Sequence, residues 1–377
     1  MNSKTAESAA LQRLEQHLKV DPGNPQLLAD AIGLSLSLGK LDSARKYADA
    51  ALRLMPNDPF VAHRNGNVLI AEGNLDEAAS LFEALNARVP DPAVAFNLAF
   101  VYFRQGKYEQ ARSVLDPIVA SDEAAPQAVT LYLRTLHHLR AINRAVEVAQ
   151  RHAARCAGHA DFLAVAGLLC FDADQLQLAQ RFSDAALALG RRPLEAVVVA
   201  ASLALARDDG AAATQLFDEA LAAAPGDGRS WSGRGMASLL LGDLDAAAGQ
   251  LEQATARMPE HIGTLHALGW CRILRRELPK ARECFEKALA LDRNFGESHG
   301  GMAVVNALEG RTSQAQEEVK LAVRLDPQGL SAKYAQMVMS GDVADPEKFK
   351  RLALRILSNR TGPLGAPLRD SIARRMR

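Results

Sequence analysis

Small and apolar positions recur along this chain at a fixed interval, with polar residues filling the spaces between them. Three stretches align directly: GNLDEAASLFEALNARVP (Gly73 to Pro90), GDLDAAAGQLEQATARMP (Gly242 to Pro259) and GKLDSARKYADAALRLMP (Gly39 to Pro56). Within each, apolar residues stand three and four apart, the spacing of one helix face. Carrying the alanine of that helix along the chain gives Ala10, Ala44, Ala78, Ala111, Ala145, Ala179, Ala213, Ala247, Ala281 and Ala315. Every step is 34 residues except Ala78 to Ala111, which is 33. A fixed period of this length marks stacked supersecondary units, each too small to bury its own apolar face.

Other marks keep the same register. Pro22, Pro56, Pro90, Pro225, Pro259 and Pro327 close helices, since proline cannot continue one. Gly66, Gly167, Gly235 and Gly269 lie 12 residues before the repeating alanine, and Ala99, Ala201 and Ala303 take that place elsewhere. A small residue there lets the two helices of one hairpin approach closely. Phe82, Phe217 and Phe285 follow the alanine by four residues and share its face. The register predicts a half-repeat in residues 1–24 and nine full repeats over 25–329: 25–58, 59–91, 92–125, 126–159, 160–193, 194–227, 228–261, 262–295 and 296–329. Leu133 in place of a small residue, and Ala157 and Arg191 in place of the closing proline, predict less regular stacking in the fourth and fifth repeats. Residues 330–377 leave the period. A helix near Ser331–Met339 and a second carrying Phe349, Leu352, Ala353, Ile356 and Leu357 are expected to cap the stack, before a basic tail with Arg369, Arg374, Arg375 and Arg377.

These residues resemble the tetratricopeptide repeat (TPR), whose 34-residue pattern is W-x2-L-G-x2-Y, then A-x3-F, then P. Trp231, Gly235, Ala247 and Pro259 match it in one repeat, Leu268, Gly269, Ala281 and Phe285 in the next, and Leu98, Tyr102 and Ala111 in the third repeat. The resemblance covers roughly residues 1–329 and looks like a bacterial-type adaptor or scaffold. It implies an all-α, right-handed superhelical solenoid of nine to ten repeats, about twenty helices with no sheet. It also implies that the first helix of each repeat lines a concave groove that binds another protein. Inward positions are then His63, Asn67 and Ile70, followed by Phe96, Phe100 and Phe103 with Arg104 beside them, then Thr130, Arg134 and His137. The three phenylalanines stand at i, i+4 and i+7 and form one stripe. From the sixth repeat onward the inward positions turn apolar: Val198, Leu205, Met236, Leu239, Leu240, Trp270, Ile273, Leu274, Val304 and Leu308. Asn67 and Asn97 match the two asparagines of the carboxylate clamp in chaperone-binding members. His63, Gln127 and Leu131 replace its basic residues, which argues against a chaperone C-terminus as ligand.

Charge and chemistry narrow the function classes. Forty-four basic residues balance forty-four acidic ones, so bulk charge points to neither nucleic acid nor membrane as partner. No P-loop, dinucleotide fingerprint, HExxH or GxSxG occurs, and the period leaves no room for a separate catalytic domain. His152, Cys156 and His159 lack a fourth ligand for zinc, and no cofactor is expected. The N-terminal stretch lacks the apolar core of a signal peptide, and Cys156, Cys170, Cys271 and Cys284 show no disulfide framework, so a cytoplasmic protein is expected. The expectation is a non-enzymatic adaptor that cradles an extended or helical partner segment, as family members do in secretion, pilus or polysaccharide assembly. A self-assembling scaffold, as a homo-oligomer, and a regulatory subunit of an enzyme encoded elsewhere are the alternatives.

Overall fold

The computed structural model describes residues 3–88 and 91–344, and among these the chain is built from helices alone, with no strand. Pro90, the stretch around Phe349 and the basic tail lie outside the described residues. The chain divides into two compact units, Met1–Cys156 and Ala157–Arg377.

The first unit opens with α1 (Ser3–Val20). Four helical hairpins follow: α2 (Pro25–Ser37) with α3 (Leu41–Leu54), α4 (Pro59–Glu72) with α5 (Leu75–Arg88), α6 (Pro92–Arg104) with α7 (Tyr108–Val119), and α8 (Pro126–His138) with α9 (Ile142–His152). The second unit holds α10 (Ala160–Asp172) with α11 (Leu176–Ala188), α12 (Leu194–Ala206) with α13 (Gly210–Ala223), and α14 (Gly228–Leu241) with α15 (Leu244–Arg257). It continues with α16 (Ile262–Leu274) and α17 (Leu278–Leu291), α18 (Gly296–Leu308) and α19 (Thr312–Leu325), then α20 (Leu330–Met339) and a short 3-10 turn, Asp342–Ala344.

Local chemistry starts and stops these helices. Asn24, Asp58 and Asp91 each cap a helix whose first residue is proline, accepting from the backbone N–H of Leu27 (3.1 Å), Val61 (2.9 Å) and Ala93 (2.7 Å). Each hairpin turns through one residue in the left-handed region. Glycine stands there at 39, 73, 106, 242 and 310, but Arg140, Asp174, Asp208 and Arg276 hold the same position with φ between 57° and 64°. The next backbone N–H then reaches back into the helix, as from Lys40 to the Ser35 carbonyl (2.8 Å) and from Glu277 to that of Arg272 (2.9 Å).

Packing explains the repeating alanine. Ala44, Ala78, Ala111, Ala145, Ala179, Ala213, Ala247, Ala281 and Ala315 are all 0% exposed. Ala10, in α1, which packs on α2, is only half-buried. A β-carbon on Gly66 would lie 2.4 Å from the Phe82 ring, and one on Gly269 2.7 Å from Phe285, so these helices meet where no side chain intervenes. Within each unit, successive first helices pack on one another, α2 on α4 on α6 on α8, and α10 through α12, α14, α16 and α18 to α20. Within each unit the second helices pack on the first helices either side of them, except α9, which packs on α8. Each unit therefore presents its first helices as one continuous inner row, where the candidate site residues stand.

Candidate functional site: the inner row of first helices

In the first unit, α4 and α6 bring three predicted residues into one network. The Asn97 amide donates to Asn67 Oδ1 (2.8 Å) and to His63 Nε2 (2.9 Å). For that bond His63 must be neutral at Nε2. Burial, assisted by the Arg64 charge, pushes its pKa below the ordinary value against a weaker pull from Asp91. The two asparagines are thus already bonded to each other. Asn97 Oδ1 and Asn67 Nδ2 are the groups left to meet a peptide backbone.

Phe96, Phe100 and Phe103, aligned on one helix face, meet three different surroundings. Phe96 lines a cleft of about 1150 Å³ together with Val114, Pro117 and Ile118 of α7 and Ala128 of α8. Phe100 lies under the Arg104 guanidinium, 5.9 Å from its ring centre. Phe103 packs edge-on against Tyr108 (5.5 Å) and His138 (5.4 Å), which stack on each other at 4.3 Å, and it lies partly buried against the core of α4 to α7. The expected single stripe therefore meets mixed surroundings: Phe96 and Phe103 both face residues of α7 and α8, and Phe100 faces Arg104 of its own helix. Arg104 is exposed, while Arg134 and His137 are half-buried and engaged by neighbours. The His138 ring is held below its ordinary pKa by burial, then by His137 and Arg134.

In the second unit the residues of the expected apolar wall range from buried to open. Val198, Ile273 and Val304 are 6%, 5% and 0% exposed, because an inner side chain on one first helix packs on the next first helix. Leu240 is half-buried, its methyl 3.3 Å from where a β-carbon on Gly210 would lie. Trp270 is half-buried and meets Tyr334 edge-on at 5.8 Å. Met236 and Leu274 remain open, at 46% and 57% exposure.

Several polar contacts were missed. Arg229 of α14 makes a two-pronged bond to Asp172 of α10 (2.8 and 2.9 Å), spanning α12. Arg272, only 6% exposed, pairs with Glu252 and Glu277. The Arg275 and Arg272 bonds hold the Glu277 carboxyl down at about 2. Arg45 binds Glu72 (2.5 Å) and Asn65 (2.8 Å), and Arg282 binds Glu309 (2.5 Å) and Asn306 (2.8 Å). A sequence signal for the last two exists: each arginine directly follows the repeating alanine, and each glutamate directly precedes the left-handed turn residue. His152 donates from Nε2 to the Val119 carbonyl (3.1 Å), and the four cysteines are buried and free. No helix among the described residues is long and apolar enough to cross a membrane.

Three models described as tetratricopeptide repeat match residues 69–135, 198–260 and 263–295. No curated protein matches the chain. Among solved structures, a human IFIT1 dimer with PPP-AAAA is similar over 95% of this chain and 89% of its own, at 14% identity and a TM-score of 0.53. An IFIT1 monomeric mutant with Gppp-AAAA is similar over 100% of this chain and 96% of its own, at 13% identity and a TM-score of 0.55. At such identity the likeness is one of fold: a helical-repeat solenoid.

Proposed function

We propose, from the premise that this chain is a tetratricopeptide-repeat protein, that it is an interaction scaffold whose inner row holds an extended or helical segment of a partner protein. The observation that carries the reading is the pair Met236 and Leu274, open on adjoining first helices beside Trp270 and Leu240. Apolar side chains left in water on an inner face gain by burial, at about 25 cal/mol per Å². They would receive apolar residues of the partner segment at helical spacing. The first unit would extend the contact through Phe100 with Arg104, through Asn67 and Asn97, and through Phe96 at its cleft. His63, Phe103, Arg134 and His137 hold that face in shape. We take the chain to act in the cytoplasm, without a cofactor and without catalysis, as nine repeats over residues 25–329. By family analogy alone, components of secretion, pilus or polysaccharide assembly are the partners to seek first.

Site-specific photocrosslinking tests this. A photoreactive residue at Met236 should capture one protein segment in the native host, and Leu274→Glu should abolish that capture while Gln336→Glu, on exposed surface, leaves it intact. The captured segment, made as a peptide, should bind at least about tenfold more weakly to Leu274→Glu. Equal capture and equal affinity in the Leu274 variant would remove this wall from the binding site. One of the IFIT1 structures carries PPP-AAAA, so the same titration is run with PPP-AAAA, where we expect no saturable binding. Mass growing with concentration in light scattering would favour the self-assembling scaffold instead.

A further inference from the structure

Arg64 stands on α4 beside His63, outside the network formed by Asn67 and Asn97. Its guanidinium lies 5.1 Å from the Phe60 ring centre, and its Nη1 is 3.6 Å from where a β-carbon on Gly33 would be. Its Nε is closed off from solvent and has no acceptor. That nitrogen is sealed by the protein itself, which fixes the side chain and leaves the terminal Nη groups as what Arg64 can offer a ligand. The same residue borders a cleft of about 590 Å³ between α1, α2 and α4, lined also by Arg13, His17, Leu14, Leu34 and Asp30. Nearby Arg45 is satisfied by Glu72. Among the described residues no carboxylate pairs with Arg64, Arg13 or His17. Arg13 makes only a long 3.4 Å bond from Nε to the Ala9 carbonyl, and Asp30 Oδ1 accepts from Gln26 (3.1 Å).

We infer that this cleft is an oxyanion site, centred on Arg64 and flanked by Arg13 and His17, that takes the carboxylate of an acidic side chain in a partner protein. A planar carboxylate matches the edge of a guanidinium with two parallel bonds. Leu14 and Leu34 provide apolar walls for the methylene stem of a glutamate, which inorganic phosphate would leave uncovered. Asp30 in the same cleft opposes a dianion more than a monoanion. Gly33 gives the guanidinium its room, so the absence of a side chain there is part of the site. The inference rests on the scaffold reading only for the source of the carboxylate, since the cleft and its cations stand apart from Met236 and Leu274.

The full chain, labelled with ¹⁵N at arginine, is titrated with a blocked Glu-Leu-Glu-Leu peptide, with inorganic phosphate, and with sodium chloride at matched ionic strength. The Arg64 side-chain Nε–H resonance, assigned by its loss in Arg64→Gln, should move saturably with the peptide. Peptide affinity should fall at least fivefold in Arg64→Gln and in Gly33→Leu, which fills the cleft, and less in Arg13→Gln. Gln336→Glu, on exposed surface, should leave it unchanged, and the Arg64 resonance, which reports this cleft alone, separates failure of this site from failure of the apolar wall. No saturable movement, or movement matched by sodium chloride, overturns the site. Saturation by phosphate but not by peptide overturns the assignment to a protein carboxylate. Should Arg64→Gln lose its helical circular dichroism, the exposed Arg13→Gln decides, and an unchanged peptide affinity there counts against the site.

Discussion

The two units use the same hairpin but line their inner rows with opposite chemistry. In the first, α4, α6 and α8 carry Arg64, Arg104, Arg134, His63, His137 and His138, and their only carboxylate, Glu72, is tied to Arg45. Their side chains meet neighbours in the next hairpin, as Asn97 meets Asn67. In the second, charged residues such as Arg229, Asp172 and Arg272 are paired and the open side chains Met236 and Leu274 are apolar, while two contacts reach over an intervening helix, Arg229 to Asp172 across α12 and Trp270 to Tyr334 across α18. Identical outer packing therefore permits unrelated inner surfaces, because the repeating alanine and its phenylalanine sit between helices and leave the inward positions free to vary. One face suits anionic and polar groups, the other apolar ones.

The largest effect should come from the shared element. Phe82→Ala in the first unit and Phe285→Ala in the second remove rings that are 0% exposed, and each should cost about 3–5 kcal/mol in urea unfolding. Phe82 also packs edge-on against His63 at 5.8 Å, and Phe285 against His266 at 5.5 Å, so their loss should in addition loosen the His63–Asn97 and His266–Ser298 bonds. A cost below about 1 kcal/mol at either site would show that the rings do not organise the hairpins.

Next comes overpacking. Ala247→Leu, at a 0% exposed position, should cost about 1–3 kcal/mol. The same change at half-buried Ala10 should stay within about 0.5 kcal/mol. Equal costs would mean that α1 is as enclosed as the second helices of the full hairpins.

The turns should respond less. Arg140→Gly in the first unit and Arg276→Gly in the second relieve a left-handed backbone that penalises a β-carbon, and each should stabilise by about 1 kcal/mol in thermal melts. Gly73→Ala and Gly242→Ala should lose a similar amount, about 1 kcal/mol. A destabilised Arg140→Gly would show that its side chain, not its backbone, sets that turn.

The smallest effect per site should be acid sensitivity shared by both units. Burial is the first cause holding His63 and His138, and His261 and His266, below the ordinary value of 6.5. The unfolded chain then binds protons that the folded chain refuses. Stability is complete above 6.5 and falls as pH drops below it, levelling off beneath the folded values. Glu72 and Glu219, depressed by their arginines, stabilise above the ordinary 4.5 and lose that contribution only as pH falls through their lower folded values. Between pH 7 and 5 the histidines alone should lower the melting point, and NMR titration of each ring checks the order. A His63 midpoint above 6.5 would contradict the neutral ring that Asn97 requires.

Much of this architecture is written in the repeat itself. Each hairpin makes the same short-range contacts, so a 34-residue period carrying alanine, a small residue 12 before it and phenylalanine four after it determines the helices and the core between them. The Arg45–Glu72 and Arg282–Glu309 pairs were legible on the same basis, since both partners keep fixed offsets from the repeating marks. The inner faces were not. Spacing at i, i+4 and i+7 aligned Phe96, Phe100 and Phe103, but only the packing assigned one ring to a cleft, one to Arg104 and one to the Tyr108–His138 pair. Tertiary structure likewise decided that Val198 and Val304 are covered while Leu274 is open, and that Arg229 meets Asp172 from a hairpin two away. Such contacts depend on the angle between successive hairpins. That angle is set jointly by all the side chains wedged between them, and no single repeat encodes it.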